Sequence, residues 1–204
     1  MDTSAIILTG GSSSRFGQDK GLLILAKKPL VKHVLEATEG LVDEKIVVVS
    51  SKDQAERYMK LLGTSAKVLV DIEDIQSPLV GAITGLEEAQ GEHSLLLSCD
   101  APFVSANVLS LLLELCPGKT AVIPRWPNGY MEPLQAVYRT EPALDASQSA
   151  LCKGELNMRA LVDELRGIRY VSTLVLQQLD PELKTFFNIN TPLDLKKAES
   201  LLKK

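Results

Sequence analysis

An α/β fold, with a doubly wound and mostly parallel sheet flanked by helices, is what this sequence predicts, and three observations carry the prediction. Short apolar runs alternate with segments of helical period along most of the chain, the order that gives parallel strands joined by right-handed crossovers. Two of the runs, Ala5–Leu8 and Ser94–Cys99, are almost continuously apolar, as expected of strands covered on both faces. The composition is 45% hydrophobic but only 4% aromatic, so the core has to be built from Leu, Val, Ile and Ala.

The elements follow in order. Ala5–Leu8 is a strand that runs straight into a Gly/Ser-rich loop. From Pro29 to about Gly40 the apolar positions Leu30, Val31, Val34, Leu35 and Ala37 recur at helical spacing, with Pro29 suited to the first turn. Lys45–Val49 reads as a strand, Gln54–Leu62 as a helix and Val68–Asp71 as a third strand. Leu79–Ala89 is helical, and Ser94–Cys99 is a buried fourth strand. Val104–Leu115 is an apolar helix and Ala121–Pro124 a fifth strand. Asn128-Gly129 marks a turn before the strand Leu134–Tyr138, a hairpin-like interruption of the doubly wound order. Helices at about Glu141–Leu151 and Leu156–Leu165 precede a short strand at Arg169–Val171. The last helix announces itself by Thr191 as N-cap, Pro192 at the first helical position and Asp194 in the first turn. With 204 residues, no internal repeat and no linker, one domain over residues 1–204 is expected.

Charge and cysteine usage exclude several classes of function. The net charge of −4 argues against a nucleic-acid binder, which needs a broad excess of Lys and Arg. Positive charge is local instead: Arg15, Lys20, Lys27, Lys28 and Lys32 lie between residues 10 and 32, where Asp19 is the sole acid. Cys99, Cys116 and Cys152 have neither paired spacing nor a CxxC pattern, which reads as free thiols in a reducing compartment and speaks against a zinc site. No basic stretch followed by a long apolar run is found near residue 1, so the expected location is the cytoplasm, away from any membrane.

Three segments carry chemistry. In Leu8-Thr9-Gly10-Gly11-Ser12-Ser13-Ser14-Arg15-Phe16-Gly17-Gln18-Asp19-Lys20, glycines let backbone N–H groups approach phosphate oxygens while Arg15 and Lys20 supply charge. The spacing fits neither the G-x-x-x-x-G-K-[ST] loop nor the G-x-G-x-x-G fingerprint. In Leu95-Leu96-Leu97-Ser98-Cys99-Asp100-Ala101-Pro102, a buried strand ends in a carboxylate, the place where ligands sit in open α/β sheets. On these residues alone, Asp100 either meets a ligand or caps the next helix. Phe186-Phe187-Asn188-Ile189-Asn190-Thr191-Pro192 puts two amides two residues apart in an extended stretch, suited to phosphate or metal-bound water or to ordinary turn chemistry.

These segments together resemble the nucleotidyltransferases that activate sugars, polyols and pterins, and most closely the molybdopterin guanylyltransferases. The first matches their G-G-x-S-x-R-x-G-x-D-K signature, the second their C-D-x-P, and the third their F-x-N-x-N-T-P. The resemblance implies a Rossmann-like, nucleotide-diphospho-sugar-transferase-like fold, with a nucleotide-binding half over about residues 1–100 and an acceptor-binding half over about 101–204. It implies Mg2+ on Asp100, the triphosphate on Lys20 and Arg15, and the nucleotide on Leu8, Thr9, Gly10, Gly11, Lys20, Asp71 and Asp100. On the acceptor side it implies Asn188, Asn190, Glu132 of the Glu132-Pro133-Leu134 strand, and Arg159, which with Gly154 matches a G-x-x-x-x-R stretch beside Lys153. Ser77-Pro78-Leu79-Val80-Gly81 departs from the family's G-P-L-x-G at Ser77, Thr9 stands where Ala is usual, and Phe16 where Met is usual. Trp126 either stacks on a pterin or packs. GTP and molybdopterin are the implied partners, with a transient contact to molybdenum-cofactor insertion proteins and the oligomeric state left open.

The chemistry expected of such a site is in-line attack on an α-phosphorus by an acceptor phosphate already ionised at pH 7. It needs no strong base, in keeping with a sequence that offers only two histidines and no Ser/His/Asp set. A sister cytidylyltransferase or phospholactate guanylyltransferase, a non-catalytic nucleotide sensor and a purely structural partner protein are the other readings.

Overall fold

The computed structural model describes residues 2–9, 18–71, 75 and 77–202. Strand β1 (Thr3–Leu8) is followed, beyond the segment 10–17, by a 3-10 turn at Lys20–Leu22 and a small hairpin of β2 (Ile24–Leu25) and β3 (Lys28–Pro29). Then come α1 (Leu30–Ala37), β4 (Glu44–Val49), α2 (Lys52–Leu62), β5 (Lys67–Val70), α3 (Pro78–Glu88) and β6 (His93–Ser98). The second half runs through α4 (Ala106–Glu114), β7 (Ala121–Arg125), β8 (Gln135–Arg139), α5 (Thr140–Cys152), α6 (Met158–Glu164), β9 (Ile168–Ser172), α7 (Thr173–Leu176), a 3-10 turn at Lys184–Phe186 and α8 (Pro192–Leu201).

Seven strands form one sheet in the order β5-β4-β1-β6-β8-β7-β9. The first four of that order pair in parallel, β8 alone is antiparallel to its neighbours β6 and β7, and β9 returns parallel to β7. The expected hairpin-like interruption is therefore real: Gly129 takes φ +86°, and the returning strand pairs Val137 with Val122. Alternation along β1 explains its continuous apolarity. Ala5 and Ile7 pack with Val34 of α1, Tyr58 of α2 and Leu109 of α4 on one face. Ile6 and Leu8 pack with Leu79 and Ile83 of α3 on the other, the face also covered by Ala146 of α5 and Leu161 of α6. A third cluster of Leu23, Leu25, Leu30, Ile189 and Ala198 ties the small hairpin to α8.

Several boundaries differ from those expected. Pro29 lies in β3 and precedes α1 as its N-cap, because the hairpin claims it first. That hairpin escapes a search for turn residues, since its two-residue turn is Ala26-Lys27, both at positive φ, where Asn-Gly is the usual pair. Helix α6 starts only after Asn157, whose side chain accepts from the Ala160 N–H. Leu134 precedes β8, and the four-residue α7 is too short to show a period.

Candidate functional site

The central strands place the first half of the site. Leu8 is in register with Val48 on one side and Ser98 on the other. The ladder continues one step beyond, with Thr9 N–H on Val48 O at 3.0 Å and Cys99 N–H on Leu8 O at 3.1 Å. The chain thus leaves β1 at Thr9 beside the point where it leaves β6 at Asp100. Strand order reverses here, β4 lying on one side of β1 and β6 on the other, and ligands of open α/β sheets bind at the carboxyl ends of strands at such a point.

Lys20 comes to the same place from the 3-10 turn. Its ammonium donates to Asp100 Oδ2 at 2.8 Å and to Asn190 Oδ1 at 2.7 Å. Ser98 Oγ donates to Asp100 Oδ1 at 2.6 Å, so both carboxylate oxygens are engaged. The main chain adds the third segment, because Ile189 N–H bonds Asp100 O at 2.8 Å. Three stretches far apart in sequence are thereby joined at Lys20, Asp100 and Asn190.

The capping alternative for Asp100 does not hold, since Ser105 is the N-cap of α4. Helix α8 is capped, as expected, by Thr191, in a reciprocal box with Asp194. Asn190 is exposed, whereas Asn188 Oδ1 is buried and has no partner among the described residues. Gly10, Gly11 and Arg15 lie outside the described residues. Leu8 and Thr9 are 6% and 3% exposed, and the Thr9 hydroxyl donates to Val48 O.

Asp71 follows β5 on the α3 side. Its carboxyl accepts from Thr84 Oγ at 3.0 Å, and burial pushes its pKa up against that bond. A Cβ at Gly81 would stand 3.4 Å from Leu8 Cδ2 and 3.7 Å from both Asp71 oxygens, so helix, strand end and carboxylate converge. Ser77, the departure from the family's glycine, is the N-cap of α3 and accepts from Val80 N–H.

The acceptor-side candidates are dispersed. Glu132 is 9% exposed and accepts from Trp126 Nε1–H at 2.7 Å, while the indole meets the Phe186 ring edge-on at 5.7 Å. Trp126 is thus a packed residue whose polar edge is satisfied by Glu132. Beside it opens a groove of about 880 Å³ lined by Leu183, Phe186, Phe187, Lys184 and Lys197. Arg159 is exposed, 3.8 Å from Asp163, and borders a different cavity of about 280 Å³ with Tyr130 and Pro133. Lys153 pairs with Glu164. Nothing in these contacts joins Arg159 to the Lys20–Asp100 pair.

Burial pushes the Glu132 carboxyl pKa up, opposed by the indole N–H. A carboxyl raised on folding is destabilising above its folded pKa, and that cost vanishes as pH falls and the group protonates. Glu132→Gln keeps the acceptor for Trp126 without a buried charge. It should raise stability at pH 7 by up to about 1 kcal/mol, with the gain fading as pH approaches 4.5, the ordinary glutamate value. Urea denaturation of both chains at pH 5 and pH 7 checks this, and an equal or negative difference at pH 7 contradicts it.

Asp19, a position of the loop motif, gathers under Lys20 with Gln54 and Tyr58, two residues of the second helix that the sequence gives no reason to single out. Cys99 and Cys116 are buried free thiols and Cys152 an exposed one. Among the described residues no helix is long and apolar enough to cross a membrane.

Comparison with known proteins identifies the family and the fold. The model of the MobA-like NTP transferase domain matches residues 5–168. A protein of Methanosarcina mazei named as a probable molybdenum cofactor guanylyltransferase is 34% identical, over 94% of this chain and 88% of its own. A molybdenum cofactor guanylyltransferase of Desulfosudis oleivorans is 31% identical, over 98% and 96%. The crystal structure of molybdopterin-guanine dinucleotide biosynthesis protein A from Archaeoglobus fulgidus superposes with a TM-score of 0.83 at 29% identity, covering 98% of each chain.

Proposed function

The chain belongs to the MobA-like NTP transferase family, and from that premise we propose that it transfers GMP from GTP to the phosphate of molybdopterin, in its molybdenum-bearing form, with release of pyrophosphate. The observation that carries the proposal is the convergence of Lys20, Asp100 and Asn190 at the carboxyl ends of β1 and β6. A cation and a carboxylate held together at a strand switch point suit a triphosphate and its metal.

The donor set fits magnesium. Among the described residues no cluster of three or more His, Cys, Asp or Glu could hold an ion by itself. Mg2+ characteristically takes one or two carboxylates and completes its shell with substrate phosphates and water. Asp100 supplies the carboxylate, and the buried oxygen of Asn188, which has no partner among the described residues, is a further neutral donor atom in the same segment as Asn190. When bound, the ion supplies positive charge against the triphosphate.

The chain's own groups do the rest. An oxygen of the acceptor phosphate forms a bond to the α-phosphorus, and the bond from that phosphorus to the bridging oxygen breaks, its electron pair leaving on pyrophosphate. Lys20 holds charge that builds on the departing phosphates, with Arg15 in the same role. Thr9, Gly10, Gly11 and the Leu8 backbone receive the nucleotide, and Asp71 contacts it from β5. Asn188, Asn190, Glu132 and Arg159 face the acceptor in this reading, in the cytoplasm.

The base is tested by turnover with GTP, CTP and ATP. The resemblance to the guanylyltransferases implies guanine as the base, and each hydrogen bond lost in a dry pocket costs about 1 to 3 kcal/mol. The expected result is a kcat/KM for GTP at least about tenfold above that for CTP. Equal or better use of CTP moves the chain to the cytidylyl group without touching the reaction class.

A further inference from the structure

The Lys20 ammonium is only as well placed as the turn that carries it, and that turn has one buried anchor. Tyr58 is fully buried in α2, and its hydroxyl donates to Asp19 Oδ1 at 2.8 Å. The same oxygen accepts the Gly21 N–H at 3.0 Å, closing the turn around Lys20. Asp19 Oδ2 accepts from Gln54 Nε2 at 2.9 Å, and Gln54 Oε1 in turn accepts the Ser50 N–H. Space is as tight as the bonding: a Cβ at Gly21 would stand 2.2 Å from the Tyr58 oxygen and 3.4 Å from Cys99 Sγ.

We propose that Tyr58 is a positioning residue for Lys20: its hydroxyl fixes Asp19, and through it the turn that aims the ammonium at Asp100 and the incoming triphosphate. Burial pushes the phenol pKa far up, so the group stays a donor at every working pH. The bond is local and buried, and a small displacement of a phosphate-binding cation costs turnover far more than it costs the fold.

The proposal rests on the nucleotide-transfer reading, and the test separates the two. Tyr58→Phe keeps the buried ring and removes only the donor. Affinity for GTP with magnesium, read by titration calorimetry, should fall by about 5-fold to 100-fold, whereas affinity for GMP, which lacks the phosphates Lys20 meets, should change less than about twofold. In a Lys20→Ala chain the same substitution should add no further loss, because there is no ammonium left to aim. Wild-type GTP affinity in Tyr58→Phe, an equal loss for GMP, or an undiminished loss in the Lys20→Ala background overturns the positioning role. Absence of transfer by a wild-type chain that binds GTP counts against the transferase reading alone.

Discussion

Asp100→Asn should give a folded chain that transfers GMP at least about 100-fold more slowly than the wild type. Asparagine keeps the size of the side chain and an oxygen that still accepts from Ser98 or Lys20, the two partners of the carboxylate. The main-chain bond from Ile189 to Asp100 O is untouched. Stability should therefore stay within about 1 to 2 kcal/mol of wild type, the ordinary range for a single substitution. What disappears is a negative charge at the strand switch point. In the proposed reaction that charge holds magnesium, so the variant should need markedly more metal to reach its own maximal rate. The check is a magnesium titration of turnover beside a thermal melt. A near-normal rate with a normal metal requirement would return Asp100 to a structural residue.

Lys20→Ala is expected to lower kcat/KM for GTP by about 100-fold to 1,000-fold, the usual cost of removing one preorganised electrostatic element. The mechanism of loss differs. The ammonium joins Asp100 to Asn190 in the free protein, and with substrate present it neutralises the triphosphate. Its removal should raise the KM for GTP as well as lower turnover, while the magnesium requirement stays close to wild type. Steady-state kinetics across GTP and metal concentrations would show the split. A variant whose defect is fully corrected by excess magnesium would mean that Lys20 only balances the charge of Asp100.

The sequence made most of the fold legible because strands buried on both faces leave a clear mark. The apolar runs of β1, β4 and β6 and the helical spacing of α1 each appear within a few residues of their place. What it hid was short or depended on distant partners. The β2–β3 hairpin turns through Ala26-Lys27, a pair without turn chemistry, and α7 is shorter than two helical turns. For the site, the motif positions Lys20, Asp100 and Asn190 converge, while Arg15, Gly10 and Gly11 fall outside the described residues. Asp19 stands in the motif, but its partners Gln54 and Tyr58 carry no sequence signal, since their meaning lies in a contact between α2 and a turn some 35 to 39 residues earlier. Arg159 stands apart from that convergence. Its spacing from Gly154 fits the family; it is exposed beside Asp163, at the edge of the cavity it shares with Tyr130 and Pro133.

The central claim is a reaction class, transfer of a nucleoside monophosphate at the Lys20–Asp100 site, and doubly labelled GTP tests it most directly. The purified chain would be incubated with magnesium, molybdopterin and GTP carrying one label on the α-phosphorus and another on the γ-phosphorus. The expected result is that the α label enters the pterin product while the γ label leaves as pyrophosphate, in equal amounts. Release of the γ label as inorganic phosphate, or a folded chain that binds GTP and moves neither label, would contradict that claim.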